Sequence, residues 1–274
     1  DVRSHLEARL WKTLFEFIEE ELALPRGTFR ATVMLDTLSA ALEADEILFE
    51  MSHHTAGLSL DPQAYAADHI TLFSAPDRPV LPDRERIGLN EHFLRSVSLM
   101  AITVCHKRQA HAIGAPSYVL PSESRTKTAP AYLDMIADKE REAIDGHDGT
   151  LVAHPSLVNP AMMEFNKSMP KAHQMYYERH DDIAPADLVK RPEGPITTES
   201  LLGSIRIVLK ALVGREQGNV VVEQGGRLHD RSSVRLSTLL LWSWRRSSHG
   251  VVTDTGLEIH SDLMSYLIKK EGDK

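Results

Sequence analysis

A carboxylate at the end of an apolar segment is the feature of this chain best suited to chemistry. The segment Arg30–Thr37 runs through β-branched and apolar residues, ends abruptly at Asp36, and is followed by an acidic helical pattern. Ligands and metals bind at the carboxyl ends of strands in parallel α/β proteins, so Asp36 is a candidate metal ligand. Asp is also a preferred helix cap. On this segment alone, the cap is the favoured interpretation.

The elements around Asp36 alternate at the rhythm of βαβ units, which predicts a parallel sheet. The predicted strands are Thr28–Leu35, Ala56–Leu60, Ala110–Ile113 and Thr150–Ala153. The predicted helices of this part are Ser4–Leu22, Ala40–Met51, Glu91–Lys107, Ala131–Ile144 and Met162–Arg179. The Pro-rich segment from Asp61 to Asp83 is predicted to be a loop.

The organisation changes towards the C-terminus. Residues 181–195 form a polar linker with three prolines, and helical patterns dominate beyond it, at Thr198–Val213, Leu236–Arg246 and Leu257–Lys270. We therefore predict an α/β portion over residues 1–180 and a helical C-terminal domain over residues 196–274.

Composition bounds the class of protein. With 42% hydrophobic and 26% charged residues, the chain is globular. Its net charge of -8 and lack of a basic run argue against nucleic-acid binding. No apolar run is long enough for a membrane span. The single cysteine, Cys105, has the flanks of a buried helix face and fits a reducing, cytoplasmic location.

The strand count is incomplete for a closed barrel. The chain has about four predicted strands, whereas a (β/α)8 barrel needs eight, and open strand edges are an aggregation liability. The sequence also begins at Asp1 inside a helical pattern. We expect either a longer translation product or a complementary N-terminal chain or oligomer that supplies the remaining strands.

Several ordered blocks resemble the malate synthase family, from about Ser4 to Asp254. They are Ser4–Trp11, Pro25–Val33, Asp45–Glu50, Ala56–Leu58, Val80–Arg84, Cys105–Arg108, Ala110–Ala112, Asp145–Thr150 and Val152–Pro155. The resemblance implies an α/β fold of the (β/α)8 TIM-barrel type, partial in this chain, followed by a helical C-terminal domain. It also implies a magnesium-assisted Claisen condensation of acetyl-CoA with glyoxylate, followed by hydrolysis of the thioester to malate.

The resemblance assigns the catalytic base to Asp230. The family's base lies twelve residues before a Trp, and Asp230 lies twelve residues before Trp242. The family has a Glu directly before its base, whereas this chain has His229. The base must remove a proton from the acetyl methyl group. The alternative is that Asp230 only caps the helix that follows it; the family register favours the base.

The resemblance implies a metal site that departs from the family pattern. Asp36 stands where the family has its first metal carboxylate, a Glu, while the second carboxylate, seven residues beyond Gly57, becomes Ala64. Alanine cannot bind Mg²⁺, and Asp61 or Asp68 could substitute only if the backbone is displaced. The family's activating arginine belongs to an early strand that this sequence does not contain.

The thioester side of the family's site matches better. His154-Pro155 corresponds to the segment that lines the acyl-CoA entrance, Leu228 to an adjoining position, and Gly114-Ala115 to the turn over the active site. The structural alternative for Pro155 is the end of a strand.

Three functions follow from these observations. The first is a malate-synthase-like acyltransferase that uses an acyl-CoA or acyl-carrier thioester and a small 2-oxo acid. The second is a divergent homologue with hydrolase or carrier-dependent, metal-independent thioester chemistry, which Ala64 favours. The third is a non-catalytic binding protein, which the incomplete barrel favours.

Overall fold

The computed structural model describes residues 2–120 and 125–273, which form two compact units. The first unit comprises the chain up to Asp61 together with Arg95–Leu188, and the second comprises Pro62–Leu94 together with the chain from Val189 onwards. The helices are α1 His5–Glu21, α2 Leu38–Leu42, α3 Ala44–Glu50, α4 Pro62–Phe73, α5 His92–Lys107, α6 Arg125–Asp145, α7 Val158–Ser168, α8 Thr198–Glu216, α9 Arg231–Arg246 and α10 Ser261–Gly272. The strands are β1 Ala31–Leu35, β2 Thr55–Leu60, β3 His111–Ile113, β4 Val222–Gln224, β5 Arg227–His229, β6 Val251–Val252 and β7 Leu257–Glu258.

The first unit is built on a parallel sheet, as the sequence predicts, and its strand order is β1-β2-β3. Leu35 lies opposite Leu60, and Ser59 lies opposite Ile113. The carboxyl ends of these strands therefore meet at one edge of the sheet.

The predicted fourth strand, Thr150–Ala153, forms only the isolated parallel bridges Ile113–Gly149 and Ser117–Val152. The amide of Gly114 donates to the Gly149 carbonyl at 2.8 Å, and the amide of Ser117 donates to the Leu151 carbonyl at 3.0 Å. Pro116 lies between these two donors and has no N–H group, so the ladder is interrupted there.

The sheet is covered by apolar helix faces. Leu35, Leu58 and Leu60 are buried, as are Ile47 and Leu48 of α3. Cys105 of α5 is also buried, and burial raises the pKa of its thiol to about 12. The interpretation of Cys105 as a packing residue is confirmed.

Helix α1 packs on the first unit through one face only. Ala8 and Glu19 are buried, and the ring of Phe15 stacks on that of Phe29 with centroids 5.6 Å apart. The Glu19 carboxylate accepts hydrogen bonds from the amides of Gly27 (3.1 Å) and Phe29 (3.0 Å), which satisfies this buried charge.

The second unit is mainly helical, with α9 packed against α4 and α8. The buried Trp244 indole donates to the Leu81 carbonyl at 2.8 Å. The prediction of a continuous loop after Asp61 is wrong, because Pro62 begins α4. A proline is favoured in the first turn of a helix, where its missing N–H has no partner to lose.

Other elements also differ from the prediction. Helix α7 ends at Ser168 rather than Arg179 because Pro170 disfavours helical geometry in the residue before it. The predicted helix Leu257–Lys270 begins only at Ser261, with His260 as its cap and a short strand before it. The hairpin β4–β5 precedes Asp230 and was not predicted.

Within residues 2–120 and 125–273, no helix is both long and apolar enough to cross a membrane.

Candidate functional site

Asp36 follows β1 directly but does not cap the next helix. The cap of α2 is Thr37, whose hydroxyl accepts a hydrogen bond from the Ala40 amide at 3.3 Å. The Oδ1 atom of Asp36 is buried without a hydrogen-bond partner, and burial raises the pKa of this carboxyl group above its ordinary value. A buried oxygen without a partner is costly and points to a missing ligand or water. The cap interpretation of Asp36 is therefore wrong.

Asp61 occupies the equivalent position on the neighbouring strand. It follows Leu60, which pairs with Leu35, and its amide donates to the Leu35 carbonyl at 3.2 Å. Asp61 is buried, and its charge further raises the pKa of Asp36. Two carboxylates thus end two adjacent parallel strands, and hard oxygen ligands of this kind suit Mg²⁺.

Ala64 belongs to α4 in the second unit and is buried, so its methyl group packs in the core of that unit. Asp68, the other substitute considered, lies on the same helix. In the part of the chain that the structure describes, no group of three or more His, Cys, Asp or Glu side chains is arranged to hold a metal. A Mg²⁺ ion held by the first unit would therefore rely on two carboxylates, with water and substrate completing its shell, which is common for this ion.

Gly114 and Ala115 lie above a buried ion pair in the first unit. Lys139 donates to the Ala115 carbonyl at 2.6 Å and to both oxygens of Glu142 at 3.2 Å. Glu142 also accepts from the Ala115 amide at 3.0 Å and the Thr150 hydroxyl at 2.8 Å. A Cβ atom at Gly114 would come within 2.2 Å of the Glu142 carboxylate. Gly114 is therefore required for close packing, and its role in substrate binding stays a prediction.

His154 and Pro155 form a short turn at the end of the segment that pairs with Ser117. His154 caps the 3-10 helix Pro155–Leu157, and its Nδ1 atom accepts from the Ser156 amide at 3.2 Å. The ring proton of neutral His154 is thereby placed on Nε2, which can donate to a ligand. Pro155 begins this helix and is exposed.

Asp230 lies in the second unit and caps α9. Its Oδ1 atom accepts from the Ser233 amide at 3.0 Å. Asp230 therefore does cap the helix that follows it, which was the alternative interpretation of this residue from the sequence. A cap fixes the position of a carboxylate without protonating it, so capping is compatible with a role as base. Leu228, the adjoining thioester-side prediction, lies in β5 and is half-buried.

Ser233 joins Asp230 to two further residues. Its hydroxyl lies 2.7 Å from Nδ1 of His229 and 2.5 Å from Nη2 of Arg84. Nε2 of His229 lies 3.1 Å from the Gln224 carbonyl. Since burial lowers the pKa of His229 to about 4, its ring is neutral at pH 7, with Nε2–H donating to Gln224 and Nδ1 accepting from Ser233. Ser233 therefore accepts from Arg84 and donates to His229.

Arg84 brings a cation into this network. Its Nε donates to the Ser237 hydroxyl at 3.0 Å and its Nη2 to Gln63 Oε1 at 2.8 Å, in addition to the bond to Ser233. Each of these three bonds ends on a neutral oxygen. Burial lowers the pKa of the guanidinium, which still carries its charge at neutral pH.

Sequence reasoning missed Arg84, Ser233 and the Lys139–Glu142 pair as parts of these sites. Ser233 follows Asp230 by three residues, the spacing of a capping interaction, which is a local signal. Lys139 and Glu142 have a similar i, i+3 spacing, but such pairs in a sequence are typical of exposed helix surfaces. No local pattern indicates that Arg84 contacts α9.

The chain is similar to malate synthases over most of its length. The family model described as malate synthase, TIM barrel domain, matches residues 1–191. The malate synthase of Myxococcus xanthus is 36% identical over 260 residues, covering 94% of this chain and 48% of that protein. The glyoxysomal malate synthase of Ricinus communis is 33% identical, covering 97% of this chain and 48% of that protein.

The chain therefore spans about half the length of these curated relatives. Among solved structures, a Haloferax volcanii malate synthase in a pyruvate/acetyl-CoA ternary complex superposes with a TM-score of 0.50. That alignment covers 96% of this chain and 66% of the other at 12% identity, which supports the fold alone. The predicted fold class and the resemblance are both confirmed, and the chain belongs to the malate synthase family.

Proposed function

We propose that this chain carries a malate-synthase-type acyltransferase site. The reaction joins the methyl carbon of acetyl-CoA to the carbonyl carbon of glyoxylate or another small 2-oxo acid. Water then cleaves the thioester, releasing CoA and a 2-hydroxy acid. The observation that supports it most directly is Asp36, whose carboxylate ends β1, does not cap α2 and has a buried oxygen without a partner.

Asp230 is the proposed base. Its carboxylate would remove a proton from the acetyl methyl group, and the resulting enolate carbon would attack the acceptor carbonyl. The Ser233 amide holds Oδ1 of Asp230 at 3.0 Å, and the Ser233 hydroxyl is in turn held by Arg84 and His229. This network limits the motion of the carboxylate before substrate binds, which lowers the entropic cost of proton transfer.

Asp36 and Asp61 are the proposed ligands of Mg²⁺. Asp61 would replace the second carboxylate of the family, at whose position this chain has Ala64. When bound, Mg²⁺ would polarise the carbonyl of the 2-oxo acid and neutralise its carboxylate. Binding of Mn²⁺, a paramagnetic substitute, tests this assignment independently of activity. Asp36→Asn and Asp61→Asn should each weaken Mn²⁺ binding at least about tenfold, while Asp68→Asn should leave it unchanged.

The activity is tested by release of free CoA thiol from acetyl-CoA in the presence of glyoxylate and Mg²⁺. We expect Asp230→Asn to lower the rate at least about a hundredfold, the usual contribution of a general base. Asp262→Asn, at an exposed position in the first turn of α10, is the control and should retain the rate. Equal rates for the two variants, or no CoA release with either glyoxylate or pyruvate, would contradict the proposal.

Ala64 favours one second candidate, a metal-independent thioester hydrolase on the same scaffold. That activity would release CoA from acetyl-CoA at the same rate with and without a 2-oxo acid, and chelation of Mg²⁺ would not change it. A rate that depends on both glyoxylate and Mg²⁺ would exclude the hydrolase.

A further inference from the structure

The second unit contains a cavity of about 230 Å³ beside the C-terminal end of α4. Its lining comes from the end of α4, the segment 78–81, Arg191 and Ser243 of α9, all of which belong to this unit. The cavity combines apolar side chains with two guanidinium groups, those of Arg78 and Arg191. A concave apolar surface with a few charged groups is the usual form of a site for a small ligand.

The cavity and the network around Asp230 lie at opposite ends of the same two helices. Gln63 accepts from Arg84 in the first turn of α4, whereas Phe73, ten residues later, lines the cavity. Asp230 caps α9, and Ser243 follows it by thirteen residues. At 1.5 Å per residue, these separations are about 15 and 20 Å along the two axes. The cavity is therefore a place in the fold separate from the proposed base.

One wall of the cavity is fixed by hydrogen bonds to the end of α9. The Ser247 hydroxyl donates to the Arg78 carbonyl at 2.8 Å, and the Trp244 indole donates to the Leu81 carbonyl at 2.8 Å. These bonds hold both ends of the segment 78–81. A ligand that enters the cavity therefore does not have to order this segment, which removes one cost of binding.

Arg191 offers a guanidinium whose orientation is already set. Its Nη1 atom donates to the carbonyls of Val80 and Pro192, each at 3.1 Å. Its Nη2 atom lies 3.7 Å from the carboxylate of Glu193, a side chain that is 88% exposed, so this ion pair is weak. A ligand carboxylate can replace Glu193 and bind Nε and Nη2 with two parallel hydrogen bonds.

The remaining lining is neutral, apart from a second cation at the surface. Arg78 is exposed and adds positive charge where the cavity meets solvent. Ile70 and Phe73 supply apolar contacts from α4, and the His69 ring packs on Phe73 with centroids 4.8 Å apart. Burial lowers the pKa of His69, and its Nε2 atom lies 3.0 Å from the Val189 carbonyl, so the ring is neutral at pH 7 and donates to Val189.

We propose that this cavity binds a small organic anion, whose carboxylate pairs with Arg191 and whose apolar body packs against Ile70 and Phe73. The two cations favour a negative ligand, and the neutral apolar interior favours one that is not purely polar. A volume of about 230 Å³ is small for a ligand pocket and fits a compact body such as one ring.

Three probes separate the two parts of this ligand. Benzoate has the charge and the ring, acetate has only the charge, and benzyl alcohol has only the ring. Each is titrated into the ¹⁵N-labelled chain while the amide signals of Ile70, Phe73 and Val80 are followed by NMR. We expect benzoate to shift these signals saturably. Acetate and benzyl alcohol should each bind at least about tenfold more weakly, because each lacks one set of contacts.

Two variants test the residues. Arg191→Gln should weaken benzoate binding at least about tenfold, the loss expected when a charge-assisted pair is removed. Arg215→Gln, at an exposed position on α8, is the matched control and should leave binding unchanged. Because Arg191 also supports the Val80 carbonyl, Ser74→Leu serves as an independent variant. It keeps Arg191 but fills the cavity, and it should abolish the shifts while the rest of the spectrum stays that of the folded chain.

Several results would overturn the proposal. Benzoate shifts that do not saturate, or that map to residues outside the cavity, would assign no site to it. Benzyl alcohol binding as tightly as benzoate would exclude a role for the guanidinium groups. Equal benzoate affinities of Arg191→Gln and Arg215→Gln, or full binding by Ser74→Leu, would contradict the assigned residues. These readouts do not use CoA release, so the cavity and the proposed activity can fail separately.

Discussion

Ser233 is the residue on which the arrangement around Asp230 depends. Its amide holds Asp230, and its hydroxyl satisfies Arg84 and His229 simultaneously. Ser233→Ala keeps the amide but leaves a buried imidazole acceptor and a guanidinium donor without a partner. We expect the free energy of unfolding in urea to fall by about 1–3 kcal/mol. Ser265→Ala, at an exposed position on α10, should change it by less than about 0.5 kcal/mol.

Asp36 and Thr37 are adjacent but have separable roles. Thr37→Ala removes the cap of α2 and should lower the free energy of unfolding by about 1 kcal/mol. Asp36→Asn should not lower it, because this side chain caps nothing and burial penalises its charge. Chemical denaturation of both variants checks the assignment. A larger loss for Asp36→Asn than for Thr37→Ala would restore the cap interpretation of Asp36.

His106 makes the stability of the first unit pH-dependent. Burial lowers the pKa of His106, but bonds to Asp148 (3.2 Å) and the Tyr177 carbonyl (2.7 Å) outweigh it and raise the pKa above the ordinary 6.5. This contribution is fully present below the unfolded pKa of about 6.5. It is lost as the pH rises through the folded pKa, because in this range the unfolded state has already released the proton that the folded state still holds.

We therefore expect the free energy of unfolding to fall between pH 6.5 and a pH above the folded pKa of His106. His106→Gln should flatten this part of the profile, whereas His53→Gln, at an exposed turn, should not. Equal slopes for wild type and His106→Gln would show that His106 does not titrate in this way.

At the scale of elements, close approach of β2 and β3 depends on Gly57. A Cβ atom there would come within 1.8 Å of the His111 carbonyl oxygen, so the strands would have to separate. Gly57→Ala should lower the free energy of unfolding by about 3 kcal/mol, at the upper end of typical overpacking costs. Gly88→Ala meets no atom within 4 Å and is the control. A similar loss for both variants in urea would contradict this explanation.

The elements differ in how well the sequence predicts them. The strands ending at Leu35, Leu60 and Ile113 and the helix His92–Lys107 follow from apolar runs and strong periodicity, which are local properties. Helix α4 was missed because proline is common both in loops and in the first turn of a helix, so Pro62 does not distinguish between them. The interruption of the fourth strand was missed because it depends on Pro116 in the partner segment. Asp36 could be singled out from its position after a strand, whereas the contacts of Arg84 with Ser233 and Ser237 join residues about 150 positions apart.

For the whole molecule, charge and apolar exposure act together on solubility. The chain has a net charge of -8 at pH 7 and a pI of about 6.0. Repulsion between molecules therefore vanishes near pH 6.0, while α1 keeps four large apolar side chains exposed, those of Leu6, Leu10, Leu14 and Phe17. Light scattering should show the strongest self-association near pH 6.0, and Leu10→Glu should weaken it. Unchanged association of Leu10→Glu at that pH would exclude this face of α1 as the contact.

The Lys139–Glu142 pair has a consequence for how this sequence can change over time. Neither partner can be replaced alone without leaving a buried charge uncompensated, although replacing both by apolar residues can be nearly neutral. Position 114 is tied to them, since any side chain there collides with Glu142. A descendant with Ala at 114 must therefore have lost Glu142 beforehand, and with it Lys139. The three positions therefore constrain the order in which substitutions can occur in this lineage. Variants made one position at a time would not reveal that the three positions are coupled.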